Sequence, residues 1–345
     1  MPRKEAFCRK ENNRNRVHQN AIRLNASRDG VHFHAGDIDW DRLTVDPDDP
    51  RWQLHPKIHP IANHEWHKKE LTEEDRIRLG IQMYAHTFLV GAQFELALMA
   101  GAAAHSMRLS TSKNKSRHSD FQYIMQEVAD EANHDMMFVK FNEKVQEAGI
   151  DTTDGASPWF RKITPAVAQF AYNQPAGFWT GVYMGEAPIE RVQENMIALH
   201  DSGEVELPEV LENVIKIHIS EERRHIAFVK DYLGDVLGED DGGNLRIDGL
   251  KRSTYKATYP ATLAFARRLI TYPNKEARKV MGIPDRVARQ TSRSEESKRY
   301  MLDLVEDPIE FAHNNGLMDS RLGRISAKVL GVYDKEFVRQ LDARQ

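Results

Sequence analysis

Two short words in this chain look like copies of one another. Asp130-Glu131-Ala132-Asn133-His134 and Glu221-Glu222-Arg223-Arg224-His225 each contain Glu-x-x-His with an acid directly in front. On a helix, positions i and i+3 share a face, so each word aims a carboxylate and an imidazole the same way. Each word lies inside a long helical pattern and has a solitary acid upstream. Glu95 is the only acid between Asp75 and Asp120, within the apolar run 87–101, and Glu186 sits likewise in the run 178–187. An unpaired buried carboxylate is costly, so each of these needs a cation or a proton.

The spacing repeats as well. Glu95 precedes Glu131 by 36 positions, and Glu186 precedes Glu222 by 36. The midpoints, residues 113 and 204, fall in the polar stretches 110–116 and 200–208, which read as turns. A helical hairpin folded at its midpoint returns its arms to equal height, at about 1.5 Å per residue. Two such hairpins bring four Glu and two His to one level, the ligand set of a two-metal carboxylate bundle. The expected fold is therefore all-α, a ferritin-like four-helix bundle.

A chain of 345 residues has ample core for this, and one cysteine, Cys8, excludes an internal disulfide. A formal net charge of -4 without a clustered basic excess argues against a nucleic-acid partner. The polar N-terminus shows no apolar leader, so a cytoplasmic location is expected. The apolar stretch 77–107 carries Arg78, His86, Glu95 and His105 and is read as a buried core helix rather than a membrane span.

Along the chain, residues 1–71 are rich in Asn, Asp, Pro, His and Trp and predict an irregular arm lying on the bundle. His55, His59, His64 and His67 fit no compact ligand spacing and are read as surface residues. The bundle occupies 72–237. Thr72 caps a first helix to about 107, and a second spans about 118–148, ending at Gly149. A third runs about 165–200, interrupted by Pro175 and Pro188, with a kink or widened turn expected beside Glu186. The fourth runs about 207–237 and opens at Pro208. After an acidic, Gly-rich loop at 235–249, residues 238–345 read as a helical extension of the same domain that closes one end of the cavity. Its candidate helices are about 252–271, 274–282, 294–304, 307–314, 324–330 and 333–343.

Carboxylates and imidazoles in a bundle core suit two iron ions, with manganese or a mixed Mn/Fe pair as the alternative. Glu131 and Glu222 are the expected bridges. Asp130 and Glu221 are read as orienters of the ligand imidazoles. Glu127, one turn before Glu131, is read as a further group just outside the ligands, with an eighth ligand or a solvated face residue as the alternatives. Glu190 and Glu194, one and two turns beyond Glu186, rank below it because their neighbours are more polar. Met99, Phe94, Phe178, Tyr183, Met184 and Phe228 flank the ligands as candidate pocket residues. His218, four before Glu222, gives the fourth helix the pattern His-x-x-x-Glu-x-x-His, one imidazole more than the symmetric bundle needs. Taken alone it reads as a core histidine.

Over roughly residues 70–235 the chain resembles the p-aminobenzoate N-oxygenase (AurF-type) di-iron arylamine oxygenases. The resemblance rests on Asp130-Glu131-x-x-His134, His218-x-x-x-Glu222-x-x-His225 and the single Glu95 and Glu186. The third histidine is its specific part, since four Glu and two His are common to ferritins, desaturases and hydroxylases. One departure is Glu221, which stands where the family often has Asp. The resemblance implies Glu95, Glu131, His134, Glu186, His218, Glu222 and His225 as ligands, and so makes His218 a ligand too. It implies O₂-dependent oxidation of a small amine to a hydroxylamine, nitroso or nitro product, with an external electron donor such as a reductase, and it makes a homodimer plausible. The alternatives are a C-hydroxylase or desaturase on the same metals, a ferritin-like iron-binding protein, and a metal-free helical interaction protein.

Overall fold

The computed structural model describes residues 22–24, 35–111, 117–152, 158–237, 246–247, 250–251 and 275–315. Its frame is five long helices: α1 (Glu73–Ser110), α2 (Arg117–Glu147), α3 (Pro158–Asn173), α4 (Pro175–Asp201) and α5 (Glu209–Leu237). Four short ones follow: α6 (Lys275–Val280), α7 (Asp285–Arg293), α8 (Glu295–Leu304) and α9 (Glu306–Asn314). The strands among the described residues are one antiparallel pair, β1 (Arg246–Ile247) and β2 (Leu250–Lys251). The architecture is all-α.

Local chemistry explains the ends of the helices. Thr72 and Asp75 form a reciprocal capping box at the start of α1. The α2 C-terminus closes on Gly149 at φ 73°, where Ile150 N–H reaches back to Val145 O. The α4 C-terminus closes in the same way on Gly203, with Glu204 N–H donating to Leu199 O. In both, a glycine takes the left-handed conformation that satisfies the last carbonyls. The second hairpin thus turns at the expected place, and the first turn, at 112–116, lies outside the described residues.

Two expectations about prolines change. The helix expected to begin at Pro165 begins at Pro158 and carries Pro165 inside it. Both prolines fit a first-turn rule, and the rule alone cannot choose between them. The interruption expected at Pro175 is present: the break falls at Gln174, so α3 and α4 are separate helices, with Pro175 opening α4. Across Pro188 α4 stays α-helical, without the widened turn expected there.

α1 packs on α2 and α3, and α4 on α5, while α2 and α5 meet across the middle. Close approach is set partly by glycine: a Cβ on Gly185 of α4 would come within 2.1 Å of the Phe94 ring of α1, one residue from both Glu95 and Glu186. α1 is long and apolar enough to cross a membrane, but it carries buried Glu95, His86 and His105 among the bundle helices.

The described part of the arm is a string of short helical turns, and it docks through Trp52, which is fully buried beside Tyr84 and Phe141. The surface reading of the arm histidines is only partly right. His67 is 5% exposed and the other three are half-buried. The Nδ1 atoms of His55, His59 and His64 each accept the backbone N–H two residues on, from Lys57, Ile61 and Trp66. The ring thereby caps a local turn, a role that spacing does not reveal.

In the extension, α6, α8 and α9 fall on predicted helices. α7 was not anticipated, because it buries only Val287 and Thr291 and so shows little apolar pattern. The other expected helices (252–271, 324–330 and 333–343) lie outside the described residues. α8 and α9 pack on α4, where Phe311 meets the Tyr183 ring edge-on at 5.3 Å.

Candidate metal centre

The seven residues singled out as ligands come from four helices and meet in the bundle core. Glu95 is on α1, Glu131 and His134 on α2, Glu186 on α4, and His218, Glu222 and His225 on α5. All are buried, none more than 5% exposed. They form two groups, Glu95 with His134 and His218, and Glu131 with Glu186, Glu222 and His225. Within each group the potential ligand atoms lie within 4.8 Å of one another.

Glu131 and Glu222 lie between the groups. Glu131 places one oxygen 3.2 Å from His134 Nδ1 and the other 3.2 Å from His225 Nδ1. Glu222 Oε1 is 3.4 Å from both of those nitrogens and 3.7 Å from His218 Nε2. Each of these carboxylates can therefore face both positions.

The outer nitrogen of each imidazole has its own partner. His134 Nε2 is 2.8 Å from Glu221 Oε2, and His225 Nε2 is 3.4 Å from Asp130 Oδ2. The acid in front of each word serves the histidine of the other word. Arg224 lies near both acids, 3.5 Å from Glu221 and 3.9 Å from Asp130. His218 Nδ1 is 2.8 Å from Gln193 Oε1, and its Nε2 faces Glu95 at 3.4 Å. Such partners fix which ring nitrogen carries the proton and which faces inward.

Sequence reasoning missed Gln193. It is seven residues after Glu186, two turns along the same face of α4, and that register was the available signal. It also missed Asp135, which borders Glu95; burial, then the charge of Glu131, raises its carboxyl to about 7. Glu190 and Glu194 turn away from the ligands to Arg223, at 3.7 and 2.7 Å, which leaves Glu186 as the inward carboxylate of α4.

Electrostatics shows what the cluster lacks. Burial, then the charge of Glu131, pushes Glu95 well above the usual carboxylate range; burial, then Glu222, does the same to Glu186. Glu222 is raised for the same kinds of reason. Burial would raise Glu131 too, but hydrogen bonds from His134 and His225 hold it below the usual range. Both of those imidazoles, which burial alone would lower, are raised well above theirs by the surrounding carboxylates. Burial, then the proximity of His134, keeps His218 neutral. Without a cation the cluster must gather protons.

The residues fit a metal pair. Both oxygens of Glu186, Glu95 Oε2 and Glu222 Oε2 are buried with no hydrogen-bond partner. Natural cores rarely leave so many acceptors unmet in one place. Four carboxylates, three imidazoles and no thiolate make a donor set suited to iron or manganese.

A small cavity abuts the cluster. Glu131 and Glu127 line it with Met99, Phe178, Trp179 and other apolar residues of α1, α2 and α4. Of the six candidate pocket residues, Met99 and Phe178 are in its wall. Phe94 packs on Gly185, Tyr183 on Phe311, and Phe228 on Tyr123, while Met184 is buried core. The described extension helices contribute no wall residue, so the expected closure of the cavity by that segment is not seen in them.

An all-α bundle with paired Glu and Glu-x-x-His hairpins is a ferritin-like carboxylate protein with a place for two metals. The chain belongs to the family of p-aminobenzoate N-oxygenase AurF, which matches residues 13–316, a family of di-iron oxygenases. It is 30% identical over 286 residues to proteins of Mycobacterium bovis and Mycobacterium tuberculosis (strain H37Rv), both described as uncharacterized. Each alignment covers 82% of this chain and 78% of the relative. No solved structure matches the chain significantly.

Proposed function

We propose that the protein is an O₂-dependent di-iron N-oxygenase that converts a small aromatic amine to a hydroxylamine, nitroso or nitro product. It would take its electrons from an external donor such as a reductase. The observation that carries this reading is the place of His218. It is the third imidazole in the cluster, buried, held from behind by Gln193 and facing Glu95 and Glu222.

Glu95, His134 and His218 would hold one iron, Glu186 and His225 the other, with Glu131 and Glu222 between them. When bound, the iron pair supplies the electrons and Lewis acidity that activate O₂. The chain itself fixes the ligand directions. Glu221, Asp130 and Gln193 accept from the outer nitrogens of His134, His225 and His218, leaving the inner lone pairs free for metal. The apolar walls around Met99, Phe178 and Trp179 keep bulk water from the reacting nitrogen.

The test is single turnover. Protein loaded with two irons per chain is reduced anaerobically, given 4-aminobenzoate and exposed to ¹⁸O₂. Product carrying ¹⁸O on nitrogen supports the reading. Oxygen uptake with no N-oxygenated product, or with ring hydroxylation instead, overturns it.

A further inference from the structure

Glu127 differs from the other acids near the cluster. Asp130 and Glu221 each meet a ligand imidazole. Glu127 is 3% exposed, yet its Oε2 has no hydrogen-bond partner. It belongs to neither group of converging ligand atoms. It stands four residues before Glu131, as His218 stands four before Glu222, so the two occupy equivalent places on facing helices. His218 points its Nε2 toward Glu95 and Glu222, whereas Glu127 borders the cavity.

The other walls of that cavity cannot satisfy a carboxyl. They include Met99, Val182, Phe178 and Trp179, whose indole N–H is already given to His105. A buried carboxyl facing such walls needs a donor from whatever enters. We propose that Glu127 is a substrate-binding residue, its carboxyl receiving an N–H of an amine seated in the cavity beside Glu131.

The inference rests on the amine-oxygenase reading and adds the group that recognises the amine. A flat ring suits aromatic walls, and an N–H donor suits the unmet oxygen. A carboxylate that accepts the N–H leaves the nitrogen lone pair unprotonated, as an N-oxygenation requires. Burial, opposed in part by His225, raises the proton affinity of Glu127 to about 8, so the acid predominates below that pH and still offers its carbonyl oxygen to an N–H. As it stands the cavity has room for one water at most. Entry of a ring would require a wall to give, and Met99, unbranched and flexible, is the side chain best able to swing aside.

The probes are 4-aminobenzoate and 4-methylbenzoate, nearly equal in shape, one with N–H donors and one without. Their binding is measured by calorimetry on the diferrous protein under argon, where no turnover occurs. The wild type is expected to favour the amine by about ten-fold or more, the cost of leaving one buried acceptor unmet. Glu127→Leu should compress the ratio to about two-fold, while Glu127→Gln, which keeps an acceptor, retains part of it. Both variants should keep two irons per chain and the wild-type circular dichroism.

An unchanged ratio in Glu127→Leu overturns the proposal. So does loss of one iron in both variants, which would make Glu127 a ligand. A wild type that does not discriminate, or binds neither probe, overturns it as well, since the carboxyl would then be served by water. The two readings fail separately. Discrimination that depends on Glu127 but yields no N-oxygenated product sinks only the activity, and N-oxygenation with an unchanged ratio sinks only the role of Glu127.

Discussion

Glu221 Oε2 lies 2.8 Å from His134 Nε2, across the contact between α5 and α2. The reciprocal pair, Asp130 with His225, is longer at 3.4 Å. Each helix therefore orients a histidine on the other, and the two words work only as a pair. Removing such an acid frees the ring to rotate and to protonate the wrong nitrogen. Glu221→Ala is expected to weaken metal binding by roughly 10- to 100-fold. Asp130→Ala should cost less, in keeping with its longer contact. Competition against a graded series of chelators gives the affinities, and an effect of Asp130→Ala equal to or larger than that of Glu221→Ala would contradict this ranking.

Gln193 does for His218 what Glu221 does for His134, but with a neutral amide. Gln193→Leu removes the acceptor behind the ring and leaves a buried N–H unmet, at a cost of about 1–3 kcal/mol. Metal held through His218 is expected to become labile, leaving fewer than two metals per chain after a chelator wash. Gln193→Glu keeps an acceptor at that point and should retain both. Elemental analysis of washed protein decides the matter. Two tightly held metals in Gln193→Leu would show that His218 needs no anchor.

The legible part of the site was the part fixed by helical register. Two Glu-x-x-His words, two solitary acids and an equal spacing place carboxylates at one height whatever the side-chain details, and the seven singled-out residues do come together. Gln193 escaped notice because a glutamine two turns from a ligand looks like any helix-surface residue until the facing helix is in place. The pocket was poorly legible for a similar reason. Phe228 and Phe178 are both large and near the ligands in sequence, but one stacks on Tyr123 and the other faces the cavity, which depends on helix rotation. In the fold, caps and glycine stops set most boundaries of α1, α2 and α4. α7 was hidden because two buried residues make no stripe, and the histidine-capped turns of the arm because their bonds are local and aperiodic.

The cluster should make the metal-free protein less stable as pH rises. Burial, then the charge of Glu222, raises Glu186 well above its ordinary 4.5 in the folded state. Below about pH 4.5 the group is protonated in both folded and unfolded chains and contributes nothing. Above that, the unfolded chain releases its proton while the folded one retains it, so stability falls with rising pH until the folded group also ionises. Glu186→Gln removes this penalty and keeps the shape. The variant apoprotein is expected to melt at about the wild-type temperature near pH 4.5 and several degrees higher at pH 7–8. With metal added the order should reverse, since the amide is a poor anionic ligand. Calorimetric scans across that pH range test it, and an apoprotein variant less stable than wild type at pH 8 would refute the assignment of Glu186 as an uncompensated buried acid.

Gly80 decides whether the arm can lie against the bundle. A Cβ at this position of α1 would stand 1.8 Å from the Trp52 carbonyl oxygen, which is backbone and cannot rotate away. Trp52 is itself fully buried, wedged beside Tyr84 and Phe141. Gly80→Ala therefore gains a little helix propensity, under about 1 kcal/mol, but forces the 50–52 turn off α1. The overpacking should outweigh that gain, with a net loss of about 3 kcal/mol or more and a melting point lower by several degrees. The lifted arm exposes the bond after Arg51, so trypsin should cut there sooner than in the wild type. Gly36→Ala is the control, because nothing lies within 4 Å of the Cβ it adds. Equal melting points and equal cleavage rates for the two variants would mean that the arm does not depend on contact at Gly80.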